Sequence, residues 1–131
     1  MKKNNNFNIA LYIRVANREN IIYNSNIKYQ KKILINYVKK HYSNCKYKFY
    51  IDKGCSGRNF NRPNFKKMKC DIINHKIDIV ICESIERLGR NSFDFLYSFI
   101  KDYNVEFVTI EKKNFIGYET FYNLVRCIQE Y

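Results

Sequence analysis

The apolar positions of the chain alternate between strand-like and helix-like spacing. Asn8 to Val15 predicts a strand that is apolar on both faces, which is typical of an interior strand. From Ser25 to His41 the apolar period becomes helical, and Gln30 falls on the inner stripe while lysines occupy the outer face. Tyr47 to Ile51 predicts a second strand. Residues 52–62 hold two of the four glycines and predict a loop.

The second half of the chain repeats this alternation. Pro63, the only proline, suits the first turn of a helix. Ile77 to Cys82 and Val105 to Ile110 predict two further strands, with a helix capped by Ser92 between them. A last helix is expected to begin near Tyr118. The pattern predicts an α/β sandwich with a mostly parallel central sheet of four or five strands and helices on both faces.

Length and composition are those of one folded domain, residues 1–131. The chain is 46% hydrophobic and 17% aromatic, which excludes a disordered tail. Its longest apolar runs are too short to cross a bilayer, and the first twenty residues lack the apolar core of a secretory signal. We therefore expect a cytoplasmic protein that does not bind membranes.

The chain is strongly basic. Lysine and arginine number 24 against 12 acidic residues, a formal net charge of +12, and such a field attracts polyanions, above all nucleic acid. A biased codon usage is the alternative explanation, because asparagine and isoleucine also reach 18 residues each. The five cysteines form no CxxC pair, so a zinc site is not expected.

The arginines are concentrated where strands end. Five of the seven lie at the end of one of the first three predicted strands or in the segment after it: Arg14, Arg58, Arg62, Arg87 and Arg90. In parallel sheets the ligand site lies beyond the carboxyl ends of the strands. Guanidinium groups present forked donors that match phosphate oxygens, so together they could bind a phosphodiester and stabilise its transition state.

Each candidate also has a simpler interpretation. Arg58 is better explained as a solvated loop residue, and Glu86 beside Arg87 could be a local ion pair. Gln30 could be a stray polar residue, and Asp78 could cap the turn before its strand. No nucleophile is evident. Ala16 occupies the end of the first strand, where a hydroxyl would face the arginines.

Several segments resemble the catalytic domain of serine recombinases, the family of resolvases, invertases and large serine integrases. They are ALYIRVA at 10–16, Gln30 downstream, YIDKGCSGRNFNRPNF at 50–65, KIDIVICESIERLGRN at 76–91 and VEFVTIEKKNF at 105–115. The segments occur in the family's order and span nearly the whole chain. The combination of D-x-G-x-S-G…R-P with R-L-G-R-N makes the resemblance specific.

The resemblance implies a resolvase-like three-layer sandwich and DNA strand exchange without metal or ATP, through a 5′-phosphoserine link formed within a tetramer. By the same resemblance, the phosphate would be contacted by Arg14, Arg62, Arg87 and Arg90, and possible support would come from Gln30, Asp78 and Glu86. Arg58 is a further candidate for DNA contact. The implied partners are double-stranded DNA and further copies of the chain, a dimer or tetramer assembled through the C-terminal helix of the full-length form.

The sequence departs from the family at three points. Ala16 stands where the family has its nucleophilic serine, so we expect the chain as written not to cleave DNA. Glu86 replaces the usual aspartate. The chain ends at Tyr131, early in what resembles the long oligomerisation helix, and we expect the DNA-binding region to lie outside it. The alanine is compatible with an engineered substitution or with native divergence, and Asn17 and Arg18 favour divergence.

Three hypotheses follow for function. The first is a recombinase catalytic domain made inactive by Ala16. The second is a non-catalytic DNA-binding or regulatory relative that associates with an active recombinase. The third is an unrelated basic α/β enzyme that binds phosphate, which is disfavoured because the sequence shows no carboxylate cluster for a metal ion.

Overall fold

The computed structural model describes residues 6–15, 20–53, 62–84 and 102–110. In these ranges the chain forms β1 (Asn8–Val15), α1 (Asn20–His41), β2 (Lys46–Lys53), α2 (Pro63–Ile73), β3 (Ile79–Cys82) and β4 (Glu106–Thr109). The four strands form one sheet in the order β2-β1-β3-β4, and every pairing is parallel. The predicted α/β class is thereby confirmed, with four strands in the described part of the chain.

The two helices cover opposite faces of the sheet. β1 alternates strictly: Ile9, Leu11, Ile13 and Val15 pack with residues of α1, whereas Ala10 and Tyr12 pack with residues of α2. Connections between parallel strands are right-handed, and β2 and β3 lie on opposite sides of β1. The crossover through α1 and the crossover through α2 therefore fall on different faces. The predicted division of β1 into two apolar faces is confirmed.

The inner faces of the helices also match the sequence pattern. Ile27, Leu34 and Val38 of α1 are buried on one side of the sheet, and the side chains of Phe65, Met68 and Ile72 of α2 are buried on the other. Pro63 occupies the first turn of α2, as predicted, where its missing N–H costs no hydrogen bond.

The ends of several elements differ from the predicted ones, and for β2 the cause is its pairing with β1. β2 extends to Lys46 and Lys53 because all eight of its residues pair with β1. The third and fourth strands are shorter than predicted, and α1 begins five residues earlier, at Asn20. The helix predicted from Ser92 falls largely outside the described residues, and the helix predicted near Tyr118 falls wholly outside them. No helix in the described ranges is both long and apolar enough to span a membrane.

Candidate functional site

The carboxyl edge of the sheet brings β1, β2 and the start of α2 together. β1 lies between β2 and β3, so the chain leaves the sheet in opposite directions on either side of it, and such a switch point is where open parallel sheets bind ligands. Arg14 pairs in register with Asp52. Both residues fall on the face covered by α2, because they continue the alternation of Tyr12 and Tyr50.

Asp52 is buried and holds the start of α2. Its Oδ1 accepts a hydrogen bond from the backbone N–H of Asn64 at 2.9 Å, and its Oδ2 accepts one from that of Phe65 at 2.9 Å. The residue at the N-cap, Arg62, makes no side-chain capping bond of its own. A carboxylate from β2 therefore caps the helix and also opposes the positive end of its dipole.

A further hydrogen bond joins the end of β2 to the start of α2. The side-chain amide of Asn64 donates a hydrogen bond to the carbonyl of Ile51 at 2.7 Å. The end of β2 and the first turn of α2 are thus joined by three hydrogen bonds that bypass residues 54–61. Arg62, which lies immediately before the helix, is positioned by this junction.

Arg62 reaches back over the aromatic side chains beneath α2. Its guanidinium carbon lies 3.9 Å from the centre of the Phe65 ring and 5.9 Å from that of Tyr12. Its Nη1 donates to the Tyr12 hydroxyl at 3.2 Å, and that hydroxyl donates to Oδ2 of Asp52 at 2.8 Å. The side chain is 3% exposed. An arginine stacked and hydrogen-bonded in this way is held in one orientation.

Tyr12 serves this chain as a neutral hydroxyl. Burial raises its pKa far above the ordinary value of 10.0; the Arg62 charge opposes this, and the hydrogen bond to Asp52 adds to it. The phenol therefore stays protonated across the physiological range and cannot act as a base there. Its hydroxyl bridges the two charged groups: it donates to the Asp52 carboxylate and accepts from the Arg62 guanidinium, so the position of Asp52 orients Arg62.

Two predicted site residues do not join this cluster. Asp78 lies at the opposite, amino edge, where its Oδ2 accepts the N–H of Asn8 at 2.8 Å. Six residues of extended chain, about 20 Å, separate Asn8 from Arg14. Asp78 precedes β3, and parallel strands put such residues at the edge away from Arg14. Its support for the site stays a prediction. The alternative, an acid that caps the start of a strand, matches the contact.

Gln30 is buried on the other face of the sheet. It is 1% exposed on the inner side of α1, and neither of its side-chain amide atoms has a hydrogen-bond partner among the described residues. Its predicted place on the inner stripe is confirmed, but the sheet separates that stripe from Arg62 and Tyr12. The remaining predicted residues lie outside the described ranges: Ala16, Arg58, Glu86, Arg87 and Arg90.

Sequence reasoning underrated Tyr12 and Asp52. Neither residue is a candidate on the sequence pattern alone. Both residues lie close to motifs that the sequence does single out. Asp52 is the first residue of the D-x-G-x-S-G segment, and Tyr12 precedes Arg14 by two residues. Their contact depends on strand register, which links residues forty positions apart.

Residues 9–128 match the family described as Resolvase, N terminal domain. The match spans more than nine-tenths of the chain. The chain belongs to the resolvase N-terminal domain family. The family resemblance read from the sequence is therefore confirmed, and no curated protein matches this resolvase domain significantly.

Solved structures show the same fold. The N-terminal catalytic domain of TP901-1 integrase superposes with a TM-score of 0.73 at 21% identity, covering 94% of each chain. A serine recombinase from Sulfolobus solfataricus gives 0.63 at 24% identity, covering 92% of this resolvase domain and 98% of that protein. A resolvase family site-specific recombinase from Streptococcus pneumoniae gives 0.65 at 20% identity, with coverages of 95% and 89%. The resolvase-like α/β fold is thus shown.

Proposed function

We propose that this site-specific recombinase catalytic domain binds a DNA phosphodiester at the carboxyl edge of its sheet but does not cleave it, because Ala16 stands at the nucleophile position. The observation that carries the proposal is the Arg62–Tyr12–Asp52 chain, which holds a guanidinium in one orientation at that edge. Arg14 lies on the same face, in register with Asp52.

The arrangement suits phosphate chemistry. A guanidinium offers paired N–H donors that match two phosphate oxygens, and it keeps its charge at every physiological pH. Donors oriented before the reaction stabilise the extra negative charge of a five-coordinate phosphorus without reorganising. Because Arg62 is buried, the groups that cover its guanidinium must move before a DNA phosphate can contact it.

The missing component is the attacking oxygen. With serine at position 16, its Oγ would form a bond to phosphorus while the bond from phosphorus to the 3′ oxygen breaks. The DNA would then carry a free 3′-hydroxyl, and its 5′-phosphate would be esterified to the protein. The ester conserves the phosphodiester bond energy, so rejoining needs no nucleotide cofactor. An alanine methyl group cannot perform this step, and losing a covalent nucleophile costs several orders of magnitude in rate.

Restoring the hydroxyl tests the proposal. The Ala16→Ser chain is incubated with a duplex library of random sequence, digested with nuclease and examined by mass spectrometry for a nucleotide attached to residue 16. We expect the adduct with Ala16→Ser and none with the parent chain. Ala16→Gly is the matched control, because it alters the same position without adding a hydroxyl.

The same alanine favours a second candidate, a non-catalytic relative that binds DNA beside an active recombinase. This candidate predicts DNA binding with a steep salt dependence and no adduct from Ala16→Ser. An adduct that also requires Arg62 would exclude it. Absence of an adduct from a chain that still binds DNA would contradict the first candidate.

A further inference from the structure

A basic cleft lies at the amino edge of the sheet, away from the arginines. Its volume is about 270 Å³, and it is formed where the starts of β1 and β2 meet α2 and the turn after it. The residues that give it its character are Lys46, Lys48, Lys67, Lys76, Asp71 and Tyr47. We call it the amino-edge cleft. Four ammonium groups against one carboxylate make it strongly positive.

The carboxylates near the amino-edge cleft are already engaged by other groups. Asp71 accepts a hydrogen bond from the Tyr50 hydroxyl at 2.6 Å, and Asp78 accepts one from the N–H of Asn8. None of the four lysines lies within ion-pairing distance of a carboxylate in the described part of the chain. All four are exposed. Their positive charge is therefore exposed to solvent, and no ion pair among the described residues neutralises it.

The scaffold beneath these lysines is rigid. Lys46 and Lys48 lie two residues apart on β2, which pairs with β1 along its full length. The Nζ of Lys48 rests 5.2 Å from the centre of the Tyr50 ring, and the N–H of Lys76 donates to the carbonyl of Asp71 at 2.9 Å. Tyr47 adds a 43% exposed aromatic ring beside the charges. The amino-edge cleft thus presents exposed ammonium groups on a backbone held by strand pairing and the Lys76–Asp71 hydrogen bond.

We propose that the amino-edge cleft binds the phosphate backbone of duplex DNA, as a contact separate from the carboxyl edge. Lysines act as point charges toward phosphate, so they give affinity without sequence preference. Lys46 pairs with Asn8, six residues before Arg14, so this end of the cleft lies about 20 Å from Arg14, too far for one phosphate to contact both. The inference goes beyond the proposed function, which uses only the carboxyl edge.

The test compares two quadruple variants of the 131-residue chain. The cleft variant is Lys46→Gln, Lys48→Gln, Lys67→Gln and Lys76→Gln; the control removes the same charge from exposed positions of α1 as Lys28→Gln, Lys32→Gln, Lys39→Gln and Lys40→Gln. Binding to a fluorescent duplex of arbitrary sequence is measured by anisotropy over a salt series. Each lost phosphate contact lowers the slope of log K against log salt by about 0.9.

We expect the cleft variant to lose about 2 or more from that slope and at least about tenfold in affinity at low salt, with the control losing less than 1. Equal losses in both variants would overturn the proposal, because the effect would then be that of net charge. Thermal melts verify folding. Since all eight lysines are exposed, both variants should retain the parent midpoint.

Two further measurements separate the alternatives. Polyglutamate as the titrant tests an acidic protein partner: if the cleft variant loses affinity for polyglutamate and keeps its affinity for DNA, the proposal is overturned. The covalent adduct of Ala16→Ser is read independently of the salt slope. A reduced slope without any adduct would support the amino-edge cleft while refuting the catalytic proposal, so the two failures are distinguishable.

Discussion

Replacing Asp52 by alanine tests the central contact of the site. The carboxylate accepts three hydrogen bonds, from the Tyr12 hydroxyl and from the backbone N–H groups of Asn64 and Phe65. All three donors lose their partner in Asp52→Ala. The variant therefore removes a helix cap and the anchor of the Arg62 orientation in one step.

The magnitude follows from these bonds. A hydrogen bond to a charged group contributes about 1.5–3 kcal/mol, so three sum to at least about 4.5 kcal/mol. Removing the carboxylate also removes its own desolvation cost, which offsets part of that sum. We expect Asp52→Ala to lower the free energy of unfolding by about 3 kcal/mol, a large share of the roughly 5–15 kcal/mol of a typical domain.

Urea unfolding followed by far-UV circular dichroism measures this loss. With a slope of about 2 kcal/mol/M, a loss of about 3 kcal/mol lowers the midpoint by about 1.5 M. Tyr12→Phe deletes one of the three bonds to Asp52 and also the hydroxyl that accepts from Arg62, and it should cost about 2 kcal/mol. In the double variant the two losses should add to less than their sum, because they share one bond.

Asp71→Ala is the matched control. Asp71 also accepts a tyrosine hydroxyl, that of Tyr50 at 2.6 Å, but it is half-buried and caps no helix. We expect it to cost about 1 kcal/mol. If Asp52→Ala costs no more than Asp71→Ala, the cap is not the stabilising contact and the reasoning is refuted.

Three further predictions follow from single buried groups. Gln30→Met should raise the free energy of unfolding by about 1–3 kcal/mol, because it removes two buried amide atoms that have no hydrogen-bond partner in the described part of the chain; a lower urea midpoint would contradict this. Burial, helped by the Glu106 charge, raises the pKa of Tyr42 from 10.0 to about 12. Its contribution to stability is therefore complete below about pH 10 and is lost as pH rises toward 12. Tyr42→Phe should weaken the pH dependence of the urea midpoint in that window, and an unchanged dependence would refute the assignment. Arg62→Lys should weaken duplex binding several-fold, about 1 kcal/mol, by removing the fork and the stacking on Phe65; anisotropy at fixed salt measures this, and unchanged affinity would argue against a phosphate contact.

Local pattern was sufficient for the elements and their buried faces. The alternation in β1 predicted which side chains meet each helix, and Pro63 predicted the start of α2. These features depend on residues within a few positions of one another, so their signal is contained in short windows of sequence. Arg14, at the end of β1, and Arg62, just before α2, were likewise predicted to lie at one edge, from the general behaviour of parallel strands.

Local pattern did not indicate which edge of the sheet each residue occupies. Asp78 precedes its strand and contacts Asn8 at the amino edge, away from Arg14. The amino-edge cleft was not foreseen for the same reason. Lys46 and Lys76 are thirty residues apart, and only the β2-β1-β3 order brings their segments to one place.

The sequence by itself determined the family, the α/β alternation and the apolar faces, and it predicts that Ala16 stands at the nucleophile position. Tertiary structure alone decided that Asp52 caps a helix it does not belong to and orients Arg62 through Tyr12. The physical reason is range. Periodicity and composition are local properties, whereas strand order and register set distances between groups that are forty and fifty residues apart in the chain.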